Sequence, residues 1–196
     1  KSSIPNLNFE KEQVLNDLIE FTIQRIETHL EELSFGKDLI NAICFSDNFA
    51  EQRMTDIIDL KNRFTAIEKL RSKKNFKEIQ KVISRVSKLA NKGDLKTTIL
   101  LSKDYINPDL FEKKCEFKVY GFIENLEKLL SLPHLDYFKL FSLFETNSRN
   151  LEELFDNDKG VLVIAEDIKI RNNRLNLLGL VRNYSLKIAD FTILNS

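Results

Sequence analysis

The chain is poor in the residues that build turns and cross-links: 5 glycines, 3 prolines and 2 cysteines among 196 residues. So little turn chemistry argues against an all-β fold, whose hairpins depend on it. Cys44 and Cys115 stand far apart with no Cys-x-x-Cys, so neither a disulfide scaffold nor a zinc site is indicated. They read as buried free thiols in a reducing compartment. The 2 histidines, His29 in a helical stretch and His134 after Pro133, have no companion at ligand or triad spacing. No Gly-x-x-x-x-Gly-Lys-Ser/Thr or Gly-x-Gly-x-x-Gly run occurs, so no phosphate-cradling loop is expected. Adjacent carboxylates such as Glu31-Glu32 and Glu152-Glu153 point to different sides of a helix and read as solvated. No apolar run approaches the roughly 18 residues of a membrane span, and no charged-then-apolar leader opens the chain. It starts at Lys1 rather than Met, and we expect an excised piece of something longer. No catalytic residue, metal or cofactor is expected in this segment.

What is present is helical periodicity. Hydrophobic residues make up 42% of the chain, which argues against disorder, and nearly every segment repeats them at three- and four-residue spacing. Val14, Leu18, Phe21, Ile26 and Leu30 mark a first helix that ends near Ser34-Phe35-Gly36. A short helix over 38–45 follows, with Ser46-Asp47-Asn48 as a break. Ile57, Leu60, Phe64 and Ile67 mark a third that stops around Ser72, and 76–90 forms a fourth. Asn91-Lys92-Gly93 closes it as a C-terminal glycine stop. Asn107-Pro108 reads as a cap with proline at the first helical position of a long helix, 110–130. Pro133 forces a turn before 135–144. Val161-Leu162-Val163-Ile164-Ala165 is β-branched and has no partner run, so it reads as an extended connector. Asp167 caps a last helix reaching about Phe191. That helix is apolar almost all round and belongs in the middle of a bundle. Its Asn173 and Arg174 need buried partners, for which Glu166 and Asp167 are nearest in sequence. The expected fold is an all-α helical bundle, with N-terminal helices in 1–58 and the domain proper in 59–196.

Net charge is zero, from 30 basic and 30 acidic residues, but it is unevenly placed. Residues 1–60 carry five bases and twelve acids, a net −7; residues 61–103 carry thirteen bases and three acids, a net +10; the remainder is −3. A local excess of this kind is a candidate nucleic-acid footprint. On the 76–92 wheel, Phe76, Ile79, Val82, Ile83, Val86, Leu89 and Ala90 share one face. Lys77, Lys81, Arg85, Lys88 and Lys92 gather in a stripe about 80° wide. The stripe is roughly 22 Å long, enough to follow several phosphates. Gln80, Ser84 and Asn91 lie between stripe and core, where neutral side chains could read unstacked bases. A lysine-rich face also suits mere solubility, and an amphipathic helix also suits docking to a protein. Tyr105, Tyr120, Tyr137 and Tyr184 could stack on bases, though at helical spacing they read as core or rim.

Three runs resemble a known family. Gly160-Val-Leu-Val-Ile-Ala-Glu-Asp167, Arg171-Asn-Asn-Arg-Leu-Asn-Leu-Leu178 and Leu186-Lys-Ile-Ala-Asp-Phe191 resemble the C-terminus of the bacterial glycyl-tRNA synthetase beta subunit. Upstream, Arg85-Val-Ser87 is similar to that family's Lys-Arg-Val-Ser-Asn-Ile. The run from Asp17 to Arg25 is similar to its Asp-x-Ile-Asp-Phe-x-x-x-Arg. Ser84 and Lys88 stand where the family more often has Lys and Asn, and Asn157-Asp158-Lys159-Gly160 lengthens the turn after Leu154-Phe155-Asp156. The resemblance implies a bundle like the anticodon-binding domain of arginyl-tRNA synthetase, in a cytoplasmic enzyme of two alpha and two beta subunits that uses ATP and Mg2+. It implies as partners the tRNA for glycine and the alpha subunit, and no membrane. Lys77, Lys81, Arg85, Lys88, Asn91 and Lys92 are then the expected tRNA-binding residues. Arg171, Asn173 and Arg174 are either structural or tRNA-binding, with structure preferred. The alternative is a helical protein-interaction module for subunit assembly.

Overall fold

The computed structural model describes residues 10–44 and 57–194. Among these residues there are seven α-helices and no strand. They are α1 (Lys11–Glu32), α2 (Lys37–Cys44), α3 (Ile57–Arg71), α4 (Phe76–Ala90), α5 (Lys114–Leu130), α6 (Tyr137–Glu153) and α7 (Ile168–Leu186), with a single 3-10 turn at Pro108–Leu110. The all-α expectation is met. The Ser46-Asp47-Asn48 break lies outside the described residues.

Four helices close a ring: α7 packs along α4 and against α5, α5 packs on α6, and α6 returns to α4. Each turns its apolar stripe inward, so Ile83 and Val86, Phe122 and Ile123, Phe141 and Phe144, and Leu180 and Val181 are sealed. Burying each such side chain contributes about 1.5–3 kcal/mol. Phe122 meets Phe144 edge to face at 5.2 Å, and Phe76, Phe141 and Phe191 form a three-ring cluster with centroids 5.8, 6.4 and 6.5 Å apart. On one side α3 packs against α6 and α4 and carries α2 with it. Leu39, Ile40, Ala42, Ile43 and Cys44 of α2 are buried, so α2 shares the core of the ring.

Local side-chain caps set the starts of α5, α6 and α7. Asp136 Oδ1 accepts from the amides of Phe138 and Lys139, starting α6. Asp167 Oδ1 accepts from those of Lys169 and Ile170, starting α7 as expected. The bond from Ile170, and then that from Lys169, holds the Asp167 carboxyl below its usual range. Four local expectations are corrected. The expected 110–130 helix is interrupted: Asn107 Oδ1 caps only the 3-10 turn through the Asp109 amide. Glu116 Oε2 accepts from the amides of Glu112 and Lys113 and starts a new helix at Lys114. The 135–144 helix runs on to Glu153. The last helix stops at Leu186 rather than near Phe191, because Arg63 Nε takes the Ile188 carbonyl and the Asp190 amide donates to Ala42. Gly93 does not adopt the left-handed stop conformation, since no described glycine has positive φ. Its small size serves a close approach instead: a Cβ there would lie 2.9 Å from that of Leu175. The 161–165 run is a connector without strand pairing among the described residues.

Candidate nucleic-acid interface

Helix α4 spans the residues its periodicity predicts. Phe76, Ile79, Val82, Ile83, Val86 and Ala90 are buried against the ring, so the other side of the helix must face outward. Lys77, Lys81, Arg85, Lys88 and Lys92 are all exposed and together line one groove of about 1160 Å3. Gln80, Val82, Ser84 and Leu89 of the same helix line its floor, and its far wall comes from Glu152 at the end of α6, Phe155 just beyond it, and Phe191, Thr192 and Leu194 in the tail after α7. The cations therefore form a continuous row along a concave surface.

Their surroundings differ. The Arg85 guanidinium sits 4.3 Å from the centroid of the Phe155 ring, a cation–π contact that fixes it at mid-groove. Lys77, Lys81, Lys88 and Lys92 form no ion pair with a described residue, whereas the nearby Lys73 is taken up by Glu145 at 2.9 Å. Free ammonium groups on flexible stems, with one acid among the lining residues, suit a polyanion rather than a fixed internal partner. Gln80 lines the groove and is 6% exposed. Its Nε2 donates to the Leu194 carbonyl at 2.5 Å and anchors the tail, while its Oε1 is buried with no donor among the described residues. Asn91 is exposed at the end of α4, but its Oδ1 accepts from Arg182 at 2.9 Å. That contact ties half of its amide to the scaffold.

The polar residues of α7 from Asn173 onward, Asn176 apart, are buried, and most of them hold loops. Arg174 is 4% exposed and pairs with Glu116 at 2.9 Å and Glu112 at 2.6 Å. It also donates to the Leu162 carbonyl. Burial works against its charge, and the bonds to Glu116 and then Glu112 outweigh that, so its pKa is raised. Its partners are thus not the Glu166 and Asp167 expected from sequence proximity, because α5 brings a sealed Glu116 to the same level of the bundle. Asn173 exchanges two bonds with the backbone of Asn107, at 2.7 and 3.0 Å. Arg171 is half-buried.

The same helix carries three more residues with equally strong roles, of which reading by sequence passed over Arg182 and Asn183 and took Tyr184 only as core or rim. Arg182 donates to the Leu95 carbonyl at 2.6 Å, Asn183 donates to those of Lys96 and Ile99, and Tyr184 donates to that of Leu100. The one available signal was polar residues on an otherwise apolar helix. Phe155 gave none, since nothing local distinguishes it from a core phenylalanine.

The cysteines are structural. Burial pushes the Cys44 thiol up to about 12, and Cys115, raised mainly by burial, donates to the Lys159 carbonyl. Among the described residues no three His, Cys, Asp or Glu side chains are grouped so as to hold a metal ion. No helix among the described residues is long and apolar enough to cross a membrane.

Fold and site together define a helical domain that presents a cationic groove. No family model matches the chain. The glycine–tRNA ligase beta subunit of Picosynechococcus sp. is 36% identical to it over 186 residues, 93% of this chain and 26% of that protein. The beta subunit of Gloeothece citriformis is 32% identical over 187 residues, again 93% and 26%. That of Thermodesulfovibrio yellowstonii is 28% identical over 186 residues, 94% and 25%. Nearly the whole chain is therefore homologous to one part of the glycine–tRNA ligase beta subunit, and it spans about a quarter of the length of these curated relatives.

Proposed function

We infer that this chain is the tRNA-binding part of the beta subunit of a glycine–tRNA ligase, and that the α4 groove holds the anticodon arm. The row of free, exposed lysines along a concave surface carries this reading. Lys77, Lys81, Lys88 and Lys92 would neutralise successive phosphates, and Arg85, steadied by Phe155, would give a directed contact at mid-groove. Asn91 retains a free NH2 for a base while its oxygen is tied to Arg182. Arg174 and Asn173 would shape the domain without touching RNA. In the whole enzyme, ATP with Mg2+, the joining of glycine to tRNA, an alpha subunit partner, a tetramer of two alpha and two beta subunits, and a cytoplasmic location belong to the same proposal.

The test is the salt dependence of binding to the tRNA for glycine. Neutralising Lys81 and Lys88 lowers the slope of log K against log salt by about 1.4 if the contacted strand is single. The triple exchange Lys77→Glu, Lys81→Glu, Arg85→Glu abolishes binding while leaving the melt unchanged. Undiminished affinity in that folded triple variant rejects the groove. A second reading is supported by the exposed Val14, Leu15, Leu18 and Phe21 on the acidic α1, which suit docking to the alpha subunit. Separate capture assays with tRNA and with alpha subunit distinguish the two.

A further inference from the structure

The groove ends at Lys92, and the next residue opens a different surface. Gly93 lines a cavity of about 440 Å3 together with Leu95, Ile99 and Leu175. A second cavity of about 550 Å3 adjoins it, with Lys103, Asn107 and Lys169 in its lining. Tyr105, Asn172 and Asn176 line both. Sharing these three residues, the two cavities form one recess, and its Gly93 directly follows Lys92, the last cation of the groove, in the chain.

The recess has a different chemistry from the groove. Lys96, Lys103 and Lys169 are offset by Asp94 and Asp104, so it attracts phosphate weakly. It offers an aromatic ring, apolar carbons from Leu95, Ile99 and Leu175, and side-chain amides. Tyr105 is 39% exposed, yet its backbone is fixed: its amide donates to Ser102 and its carbonyl accepts from Asn176 Nδ2 at 2.8 Å. That bond settles which end of the Asn176 amide is committed and leaves Oδ1 as an acceptor. Asn172, one turn earlier on α7, is exposed and makes no hydrogen bond to a described residue, so both ends of its amide are available. An exposed ring on hydrogen-bonded backbone, beside unspent amide atoms and with nearly balanced charge, suits a flat, neutral, hydrogen-bonding ligand.

We propose that this recess receives an unstacked nucleobase of the same strand whose phosphates follow α4. Tyr105 stacks on it, Asn176 Oδ1 accepts an N–H from its edge, and Asn172 makes the remaining polar contact. The proposal rests on the groove reading above, and the experiment separates the two. The full chain is titrated with an anticodon stem-loop and with the same hairpin made abasic throughout its loop. Tyr105→Ala weakens binding to the intact loop about tenfold, leaves the abasic hairpin and the melt unchanged, and leaves the salt slope unchanged. Tyr105→Phe retains affinity, and Asn172→Ala weakens the intact loop several-fold. Lys81→Gln with Lys88→Gln weakens both hairpins. Equal loss on intact and abasic loops in Tyr105→Ala overturns the base recess. So does no loss on either while the lysine variant still weakens both, an outcome that leaves the groove standing. If the wild-type chain binds neither hairpin, groove and recess both fall.

Discussion

Helix α1 holds Val14, Leu15, Leu18 and Phe21 in the open, between 46% and 60% exposed, and buries only Leu30. Helix α7 does the reverse. From Asn173 to its end it buries every residue except Asn176, including Arg174, Arg182 and Asn183. Burial in this molecule therefore follows the supply of partners rather than the polarity of the side chain. Each buried polar side chain of α7 meets a carboxylate or a backbone carbonyl. The loop between α4 and α5 has no regular structure apart from one turn. Side chains from α7 take its carbonyls at Leu95, Lys96, Ile99, Leu100, Tyr105 and Asn107. By contrast, the exposed apolar residues of α1 meet no such partner among the described residues.

The sharpest way to break this comparison is Arg174→Ala. It leaves Glu116, which is fully sealed, as an unpaired buried charge, and the cost is about 3–5 kcal/mol in urea unfolding. A loss below about 1 kcal/mol would place Arg174 with ordinary surface arginines and end the case for α7 as a polar spine. Asn183→Ala comes next. It strips the donor from two carbonyls at once, at 2.7 and 2.9 Å, and is expected to cost about 2 kcal/mol. Because the lost bonds hold the loop, hydrogen exchange over residues 95–100 should quicken more than exchange in α5. Uniform quickening would show that Asn183 supports the bundle and not the loop.

Legibility along the chain divides by range. The α4 stripe could be read because a helix repeats locally, so residues three and four apart reveal which side is wet. The cap at Asp167 acts across two or three residues and was equally visible, while that at Asp136 was passed over beside the stronger turn signal of Pro133. What stayed hidden crosses the molecule. Glu116 and Arg174 are 58 positions apart, and Asn183 reaches Ile99 across 84. No periodicity links such pairs, so proximity in sequence suggested Glu166 and Asp167 instead. The groove was half legible: its cations were, while Phe155 beneath Arg85 and the tail wall at Leu194 depend on how α6 and α7 end. The premature stop of α7 is of the same kind, because Arg63 and Ala42 compete for backbone groups the helix would otherwise use.

The smallest effect tests the other half of the comparison. Phe21→Ala removes a ring that is 60% exposed, while Phe122→Ala removes one that is 1% exposed and packed on Phe144. Composition alone treats the two as the same substitution. Cavity formation makes the second cost about 3–5 kcal/mol, whereas the first should stay within about 0.5 kcal/mol, as surface changes usually do. Both are read from the unfolding midpoint at several protein concentrations. If Phe21→Ala proves as costly as Phe122→Ala, the face over residues 14–21 is covered in solution. A midpoint that rises with concentration would then identify the cover as a second copy, since association stabilises by mass action. A midpoint indifferent to concentration would mean that α1 folds back on its own chain.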